Sequence, residues 1–318
     1  MPMRYDQFFT PVKIDRINQI DSFDTAFGFI GSCFSDHMHQ RFRHHGLKAW
    51  MSPYGTTYNP LSIANQLISS IDLTNKFNLY SHENSSFYWE TSHKIVHSNP
   101  AELTHAVDVM RAESMKALSH LNTLFLTLGT SWVYELADSG LLVANCHKLP
   151  ANHFTKRLLE ISEITTALNQ LITSLISFNP RINIVFTVSP VRHLRDGIIE
   201  NTRSKARLIE ACHELVESHQ ECSYFPSFEL LMDEFRDYRF YEKDGAHPTE
   251  FAIDLVFNKL TDVLFTEQFK KVLLDVSRVR QMEQHRFLAL SNPSDIEKHQ
   301  VQILRSRENL NAHHQVCW

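Results

Sequence analysis

Three continuous apolar runs, each stopped by a turn-forming residue, set the strongest constraint on the fold. They span residues 27–30, 121–128 and 182–188, and the residues that stop them are Gly31, Gly129 and Ser189. Amphipathic stretches of helical period separate the runs along the chain. Uninterrupted apolar runs are typical of parallel strands that are buried on both faces. Strands that alternate with helices form right-handed βαβ units, so the pattern predicts a three-layer α/β/α sandwich with a mainly parallel sheet.

Weaker patterns predict the remaining elements. We expect an extended lead-in over 1–25, turn-rich loops over 51–60, a loop or small hairpin over 75–99, a β-hairpin over 132–150 that turns at Asp138-Ser139-Gly140, and a short fourth strand over 222–225. Helices are predicted over 34–46, 61–68, 100–118, 157–177, 200–219 and 228–235, and again from Glu250. This divides the chain into a main domain over 1–265 and a helical C-terminal extension over 266–318, suited to packing or oligomerisation.

Composition narrows the class of protein. A hydrophobic content of 43%, with 22 Phe, is enough to build a sizeable core. The net charge of −5 and the pI near 6.4 give no reason to expect nucleic acid or an anionic membrane surface as a partner. The chain has no apolar run long enough to span a membrane and no secretory signal pattern, which predicts a cytoplasmic protein.

The five cysteines are odd in number and widely spaced, without a CxxC pair. This predicts free thiols in a reducing compartment and argues against a disulfide framework or a zinc knuckle. Cys146 and His147 are adjacent, but a third and a fourth metal ligand at suitable spacing are missing. We therefore expect neither a metal nor a cofactor.

The turn Gly31-Ser32-Cys33-Phe34 is the first candidate for chemistry. It links a predicted strand to a predicted helix, so its first residues lie at the positive end of that helix. A thiol there is expected to have a lowered pKa, and an oxyanion would find free backbone N–H groups. The alternative is an ordinary βα turn with a buried cysteine. Adjacent residues at a strand end point to opposite sides, so Ser32 and Cys33 cannot both face a common base.

A second candidate is Asp244-Gly245-Ala246-His247-Pro248. A carboxylate three residues before a histidine can orient the imidazole and stabilise its charged form. Gly245 permits a tight turn and Pro248 suits the start of a helix, so His247 would be presented at the rim of a site. The alternative is a capped helix start without a catalytic role.

Glycine-containing loops and two cations are further candidates. Gly55 and the segment 129–132 could let the backbone approach a ligand and donate N–H groups, or could be plain turns. Arg192 and His193 follow the third predicted strand directly. There they could bind a substrate carboxylate or phosphate, or form an ion pair with a nearby acid.

The order of these four motifs resembles the SGNH/GDSL hydrolase superfamily, and the GSCF turn is similar to that of its GSCFA-domain branch. The resemblance covers residues 24–265. Segments 52–56, 145–148, 189–193, 196–197, 200–201 and 204–205 also look like the GSCFA branch. The resemblance implies that Cys33 takes the place of the nucleophile, Ser32 that of the neighbouring aspartate, Asp244 and His247 those of the orienter and base, and Gly55 that of an oxyanion-hole glycine. Ser131 stands where the superfamily has an oxyanion-hole asparagine, which Asn59 or a backbone amide could replace.

The activity that this resemblance implies is hydrolysis of an ester bond, or acyl transfer, through a covalent acyl-enzyme. The substrate would be a small-molecule or carbohydrate acyl ester. The alternative is a catalytically silent protein of the same fold that binds a carbohydrate or acyl ligand. The sequence leaves open the choice between hydrolysis and transfer, the choice of Cys33 or Ser32 as nucleophile, and the oligomeric state.

Overall fold

The computed structural model describes residues 10–82, 84–285, 287 and 292–318, and the strands and helices below belong to these residues. The first nine residues of the predicted lead-in lie outside them. The strands are β1 (Ala26–Gly31), β2 (Lys48–Met51), β3 (Leu79–His82), β4 (Ser85–Tyr88), β5 (Val96–His97), β6 (Thr123–Leu128), β7 (Trp132–Leu136), β8 (Leu142–Val143), β9 (Phe154–Leu158), β10 (Asn183–Val188) and β11 (Cys222–Tyr224). The helices are α1 (Cys33–His44), α2 (Pro60–Ile71), α3 (Pro100–Leu118), α4 (Ile161–Phe178), α5 (Ile198–Ser218), the short α6 (Ser227–Glu229), α7 (Glu250–Leu264), α8 (Glu267–Gln284) and α9 (Pro293–His313).

The three apolar runs form the centre of a five-stranded sheet with the order β11-β10-β6-β1-β2. All neighbouring strands of this sheet pair in parallel. Gly31 pairs with Thr127 on β6, and Thr127 pairs with Thr187 on β10. The carboxyl ends of β1, β6 and β10 therefore meet at one edge, as the sequence predicted.

Helices cover both faces of this sheet, because the strand side chains alternate between two apolar layers. Phe27, Phe29 and Phe125 enter a core shared with α1, α7 and α8. Ile30, Leu124, Leu126 and Leu128 enter a second core shared with α2, α4 and α5. The three-layer α/β/α architecture is confirmed.

Two small antiparallel sheets flank the parallel one. The order β3-β4-β5 replaces the loop or hairpin predicted over 75–99. The predicted hairpin forms as β7 and β8, but β9 adds a third strand to it in the order β8-β7-β9. The helix predicted from 157 therefore begins only at Ile161, after β9 has ended.

The C-terminal helices differ in their relation to the core. Phe269, Leu273 and Val276 of α8 are buried in the same cluster as Phe27 of β1 and Phe42 of α1, so the predicted boundary after residue 265 divides residues that share one core. Helix α9 follows Asn292, whose side-chain oxygen accepts the Ser294 N–H. Of the helices in the described part of the chain, none is long and apolar enough to cross a membrane.

Gly31 permits a close approach between the end of β1 and the backbone of β6. Its φ of +137° lies in a region that L side chains rarely adopt. A Cβ at this position would lie 2.1 Å from the Thr127 carbonyl oxygen. The chain can therefore leave β1 directly beside β6 only if residue 31 has no side chain.

We expect Gly31→Ala to destabilise the protein by about 3 kcal/mol, because it adds backbone strain to a clash with main-chain atoms that cannot move aside. Gly140→Ala is the matched control: Gly140 also has a positive φ, but apart from its chain neighbours no heavy atom of the described residues lies within 4 Å of its added Cβ. Strain alone should cost that control about 1 kcal/mol. Urea unfolding of both variants measures the difference, and equal losses would contradict the role assigned to Gly31.

Candidate active site

The turn after β1 presents Cys33, and not Ser32, at the carboxyl edge of the sheet. Ser32 is the N-cap residue of α1, and its N–H donates to the Thr127 carbonyl at 3.0 Å. Its side chain is fully buried, and the Oγ has no hydrogen-bond partner among the residues that the structure describes. Cys33, the first residue of α1, is half-buried and lines a cavity at this edge of the sheet. The cavity therefore reaches the thiol and not the hydroxyl.

The thiol of Cys33 differs from the expectation drawn from its place at a helix start. Burial is the main influence and raises its pKa above the usual value, with a further contribution from the nearby Asp36 carboxylate. The backbone N–H groups of Cys33 and Phe34 favour the thiolate, as expected at the start of a helix, but they do not outweigh burial. The predicted lowering of this pKa was wrong. At neutral pH the thiol is therefore protonated, and a base would be needed to convert it to the thiolate.

That base can come from the loop that precedes α7. The Nδ1 atom of His247 lies 2.6 Å from the Asp244 Oδ2, and the Asp244 Oδ1 accepts the backbone N–H groups of Ala246 and His247. These hydrogen bonds, that of the His247 N–H first, lower the pKa of Asp244 to about 2. The carboxylate is therefore ionised and fixed, and it holds the imidazole by Nδ1.

A cavity of about 810 Å³ brings these groups together at the edge of the parallel sheet. Cys33 lines it from the turn between β1 and α1, and Asp244 and His247 line it from the loop before α7. The small sheet β8-β7-β9 supplies one wall through the aromatic rings of Trp132, Tyr134 and Phe154. Two chain segments that are distant in sequence thus share one concave site.

Helix packing holds the two halves of this site in register. Arg41 of α1 donates from Nη2 to the Glu250 Oε2 at 2.7 Å and from Nε to the Asp254 Oδ1 at 2.8 Å, and both acids belong to α7. Cys33 begins α1, and His247 lies just before α7. These ion pairs therefore connect the helix of the thiol to the helix of the imidazole.

The three predicted oxyanion-hole residues have different positions. Asn59 lines the cavity, where it caps α2: its Oδ1 accepts the Ser62 N–H and its Nδ2 donates one hydrogen to the Ser62 Oγ. Ser131 is fully buried, and its Oγ contacts Ser204 of α5 instead of the cavity. The structure does not place Ser131 where a substrate oxygen could reach it, because α5 binds its hydroxyl.

Gly55 supports the site without lining the cavity. Its φ is +80°, and an added Cβ would lie 2.3 Å from the Ser92 Oγ. The loop that follows it forms hydrogen bonds to the ends of β1 and β6. The Thr57 N–H donates to the Gly31 carbonyl, and the Tyr58 carbonyl accepts the Gly129 N–H. Gly55 therefore shapes the loop beside the site, and it does not line the cavity itself.

Arg192 lines the cavity but mainly supports the loop of His247. Its backbone N–H donates to the Ala246 carbonyl at 3.1 Å, and its Nη1 lies 3.4 Å from the Gly245 carbonyl. The guanidinium lies 3.9 Å from the centre of the Tyr241 ring. Among the described residues it forms no ion pair with an acid, which was the alternative drawn from the sequence.

His193 also lines the cavity, next to the Tyr58 ring at 5.5 Å between ring centres. Burial, reinforced by the nearby Lys205, lowers its pKa to about 4. The imidazole is therefore neutral at neutral pH and cannot bind an anion as a cation. The predicted contact with a carboxylate or phosphate would depend on Arg192.

Sequence reasoning gave no role to Tyr58 and Lys205. Tyr58 lines the cavity beside Cys33, and its carbonyl accepts the N–H groups of Gly129 and Thr130. Lys205 lies on the buried stripe of α5, in line with Leu208. A lysine on an apolar stripe is a signal that the sequence offers, because lysine is almost never fully buried without a reason.

No group of three or more His, Cys, Asp or Glu side chains is placed to hold a metal ion within the residues that the structure describes. The arrangement at the cavity is instead a thiol, an imidazole and a carboxylate that fixes the imidazole. This set can perform nucleophilic acyl chemistry.

Comparison with known proteins places this geometry in a family. A comparison with curated proteins gives no match. Among solved structures, a proposed platelet activating factor from Streptococcus pneumonia shares 15% sequence identity with a TM-score of 0.39, over 76% of this chain and 84% of that chain. The GSCFA family matches residues 26–260, from the first residue of β1 into α7. This match spans well over half of the chain and includes Cys33, Asp244 and His247, so this protein belongs to the GSCFA family.

Proposed function

We propose that this protein is an SGNH/GDSL-type enzyme that cleaves an ester bond, or transfers its acyl group, through a covalent intermediate on Cys33. The observation that carries the proposal is the shared cavity of Cys33 and His247, with the imidazole fixed by Asp244. The order of motifs along the chain supports the superfamily assignment. The resemblance drawn from the sequence and this geometry point to the same residues.

The first step is removal of the thiol proton. Because Asp244 is ionised, its Oδ2 can only accept, so in the neutral form of His247 the hydrogen lies on Nδ1 and Nε2 has a free lone pair. Nε2 takes the proton from the Cys33 Sγ, and the thiolate attacks the acyl carbon of the ester. A bond forms between Sγ and carbon while the carbonyl π electrons move to the oxygen.

The second step is collapse of the tetrahedral intermediate. Its oxyanion can be stabilised by the backbone N–H groups at the start of α1 and by the second Nδ2 hydrogen of Asn59. The bond from carbon to the leaving alcohol oxygen breaks, and that oxygen receives the proton from His247 Nε2. Water then attacks the thioester and completes hydrolysis, whereas a second alcohol would complete transfer. In both routes His247 Nε2 takes the proton of the attacking water or alcohol, the bond from carbon to the Cys33 Sγ breaks, and His247 returns that proton to the thiolate.

The lining of the cavity supports one class of substrate. Aromatic rings from the small sheet offer flat apolar surface, and Arg192, Arg195 and Lys148 add positive charge at the rim. Mostly apolar walls with a few polar groups suit small ligands. A small-molecule or carbohydrate acyl ester fits this description.

Cys33→Ala should abolish turnover, with a loss of at least about a thousandfold in kcat/KM, because the acyl-enzyme of the proposed reaction forms on Cys33. Ser32→Ala should change kcat/KM by only a few-fold, because the Ser32 hydroxyl is buried and bonds to nothing. A series of p-nitrophenyl acyl esters of increasing chain length provides the assay. Full activity in Cys33→Ala with loss in Ser32→Ala would make this a serine hydrolase.

Asp244→Asn should lower kcat by roughly a hundred- to ten-thousandfold, since the carboxamide can donate to Nδ1 and would then leave the hydrogen on Nε2, where it blocks proton abstraction. Asp237→Asn is the control, because Asp237 also accepts a backbone N–H two residues on, but it does not line the cavity. The same ester assay applies. Equal effects of the two substitutions would remove Asp244 from the mechanism.

The alternative function is that of a silent binding protein, and two observations favour it: burial raises the pKa of Cys33, and Ser131 is turned toward α5. Cys146 lines the same cavity, and burial raises its pKa as well, so it is a matched reference thiol. In an enzyme, iodoacetamide at pH 7 should label Cys33 at least about tenfold faster than Cys146, because His247 assists only Cys33. His247→Ala should remove the difference. Equal labelling of both thiols in the unsubstituted protein would favour the binder.

A further inference from the structure

Lys205 is a buried cation that the proposed reaction does not use. Its side chain is 1% exposed, and among the described residues it has no carboxylate partner. Its Nζ donates to the Gly129 carbonyl at 2.6 Å and to the Ser189 carbonyl at 2.7 Å. Removing an ammonium group from water without a counter-charge is costly, so a purely apolar side chain would stabilise this position better.

The position of this ammonium group relates it to Cys33. Gly129 and Ser189 are the first residues after β6 and β10, so Nζ lies at the carboxyl edge of the sheet. Gly31 of β1 pairs with Thr127 of β6. Cys33 follows Gly31 by two residues, and Gly129 follows Thr127 by two residues. Lys205 itself does not line the cavity, although Cys33 does. The charge therefore lies behind the wall that carries the thiol.

We propose that Lys205 is a positioning residue that places a fixed positive charge behind Cys33 and stabilises the thiolate formed when His247 removes its proton. The inference rests on the proposed function, since it assigns Lys205 to the same nucleophile. Lys205 does not contact the substrate. Its charge acts through the low-dielectric interior, where electrostatic interactions are stronger than in water.

Several other titratable groups act on the same pair. Around Cys33, Asp36 raises the pKa of the thiol and Lys205 lowers it. Tyr58 lies close enough to Cys33 for the negative charge of the thiolate to raise the pKa of the Tyr58 hydroxyl. Near Lys205, the imidazole of His193 is neutral at neutral pH. Lys205 is the cation among these groups, so it opposes both burial and Asp36.

The pH dependence of this charge has a defined sign. Burial lowers the pKa of Lys205 to about 7, and Cys33 acts in the opposite direction. The ammonium group is therefore charged below pH 7 and loses its charge as the pH rises through 7. Its help to the thiolate should be greatest on the acid side.

A purely structural tie between strand ends is the competing explanation. Ser204 already makes such a tie: its Oγ accepts the Ser131 N–H at 2.7 Å and lies 2.9 Å from the Thr130 Oγ1. A second tie from the next residue would need hydrogen-bond donors but no charge. The tests below separate charge from hydrogen bonding.

The first test places a permanent anion at position 33 and needs no enzymatic activity. Cys33→Asp is compared with the neutral, isosteric Cys33→Asn by NMR of lysine labelled with ¹³C at Cε, and the Lys205 signal is identified by its absence in Lys205→Met. If the two positions interact, the titration midpoint of Lys205 should be about one pH unit or more higher in Cys33→Asp, because linkage is reciprocal. Identical midpoints would overturn the proposal.

The second test measures the effect on the thiol. In Lys205→Met and in Lys205→Gln, which keeps a donor without the charge, iodoacetamide should label Cys33 about tenfold more slowly than in the unsubstituted protein at pH 6, and the ratio should shrink as the pH rises above 7. Ser204→Ala, which loosens the same strand end, should give a ratio that does not depend on pH. A pH-independent ratio in the Lys205 variants, or recovery of the rate in Lys205→Gln, would favour the structural tie.

The two tests fail separately from the proposed function. If the Lys205 midpoint moves but no acyl ester is cleaved, the charge pair stands and the esterase proposal falls. If esters are cleaved through Cys33 but the midpoint does not move, the esterase proposal stands and the role of Lys205 falls.

Discussion

The close approach between the end of β1 and the end of β6 is the constraint on which the site depends. Gly31 lies so close to Thr127 that a Cβ would collide with the Thr127 carbonyl, and the Ser32 N–H donates to that same carbonyl. The first turn of α1 consequently begins at the edge of the central strands and not some residues beyond it. The position of the next residue, Cys33, is therefore set by backbone hydrogen bonds, which do not depend on its own side chain. Preorganisation of this kind comes from the fold itself.

The sequence predicted the elements whose signal is local. Continuous apolar runs gave the three central strands and the edge at which they end, because parallel strands in a covered sheet must be apolar on both faces. The edge strand β2 was missed, since Lys48–Met51 begins with an exposed lysine and has no apolar run. The strand β9 was missed for the same reason, because Thr155, Lys156 and Arg157 interrupt it.

Site residues divide along the same line. Cys33, Asp244 and His247 belong to short motifs, so they could be singled out before the cavity that they share was known. The direction of the Ser131 hydroxyl could not be inferred, because its partner Ser204 is distant in sequence. Lys205 was hidden for another reason: its partners are main-chain carbonyls, which every residue has and no sequence marks. Burial likewise reversed the expected direction of the Cys33 pKa, since a helix start alone does not tell how much water reaches it.

The aromatic wall of the cavity belongs to a different sheet from the one beside the thiol and the imidazole. Trp132, Tyr134 and Phe154 stand on β7 and β9, whereas Cys33 and His247 adjoin α1 and α7 on the parallel sheet. Substitutions on β7 and β9 can therefore change the shape and polarity of the binding surface while the bonds that align the thiol and the imidazole stay intact. Two relatives with this architecture could therefore differ in ligand preference while the arrangement of the thiol and the imidazole stays the same.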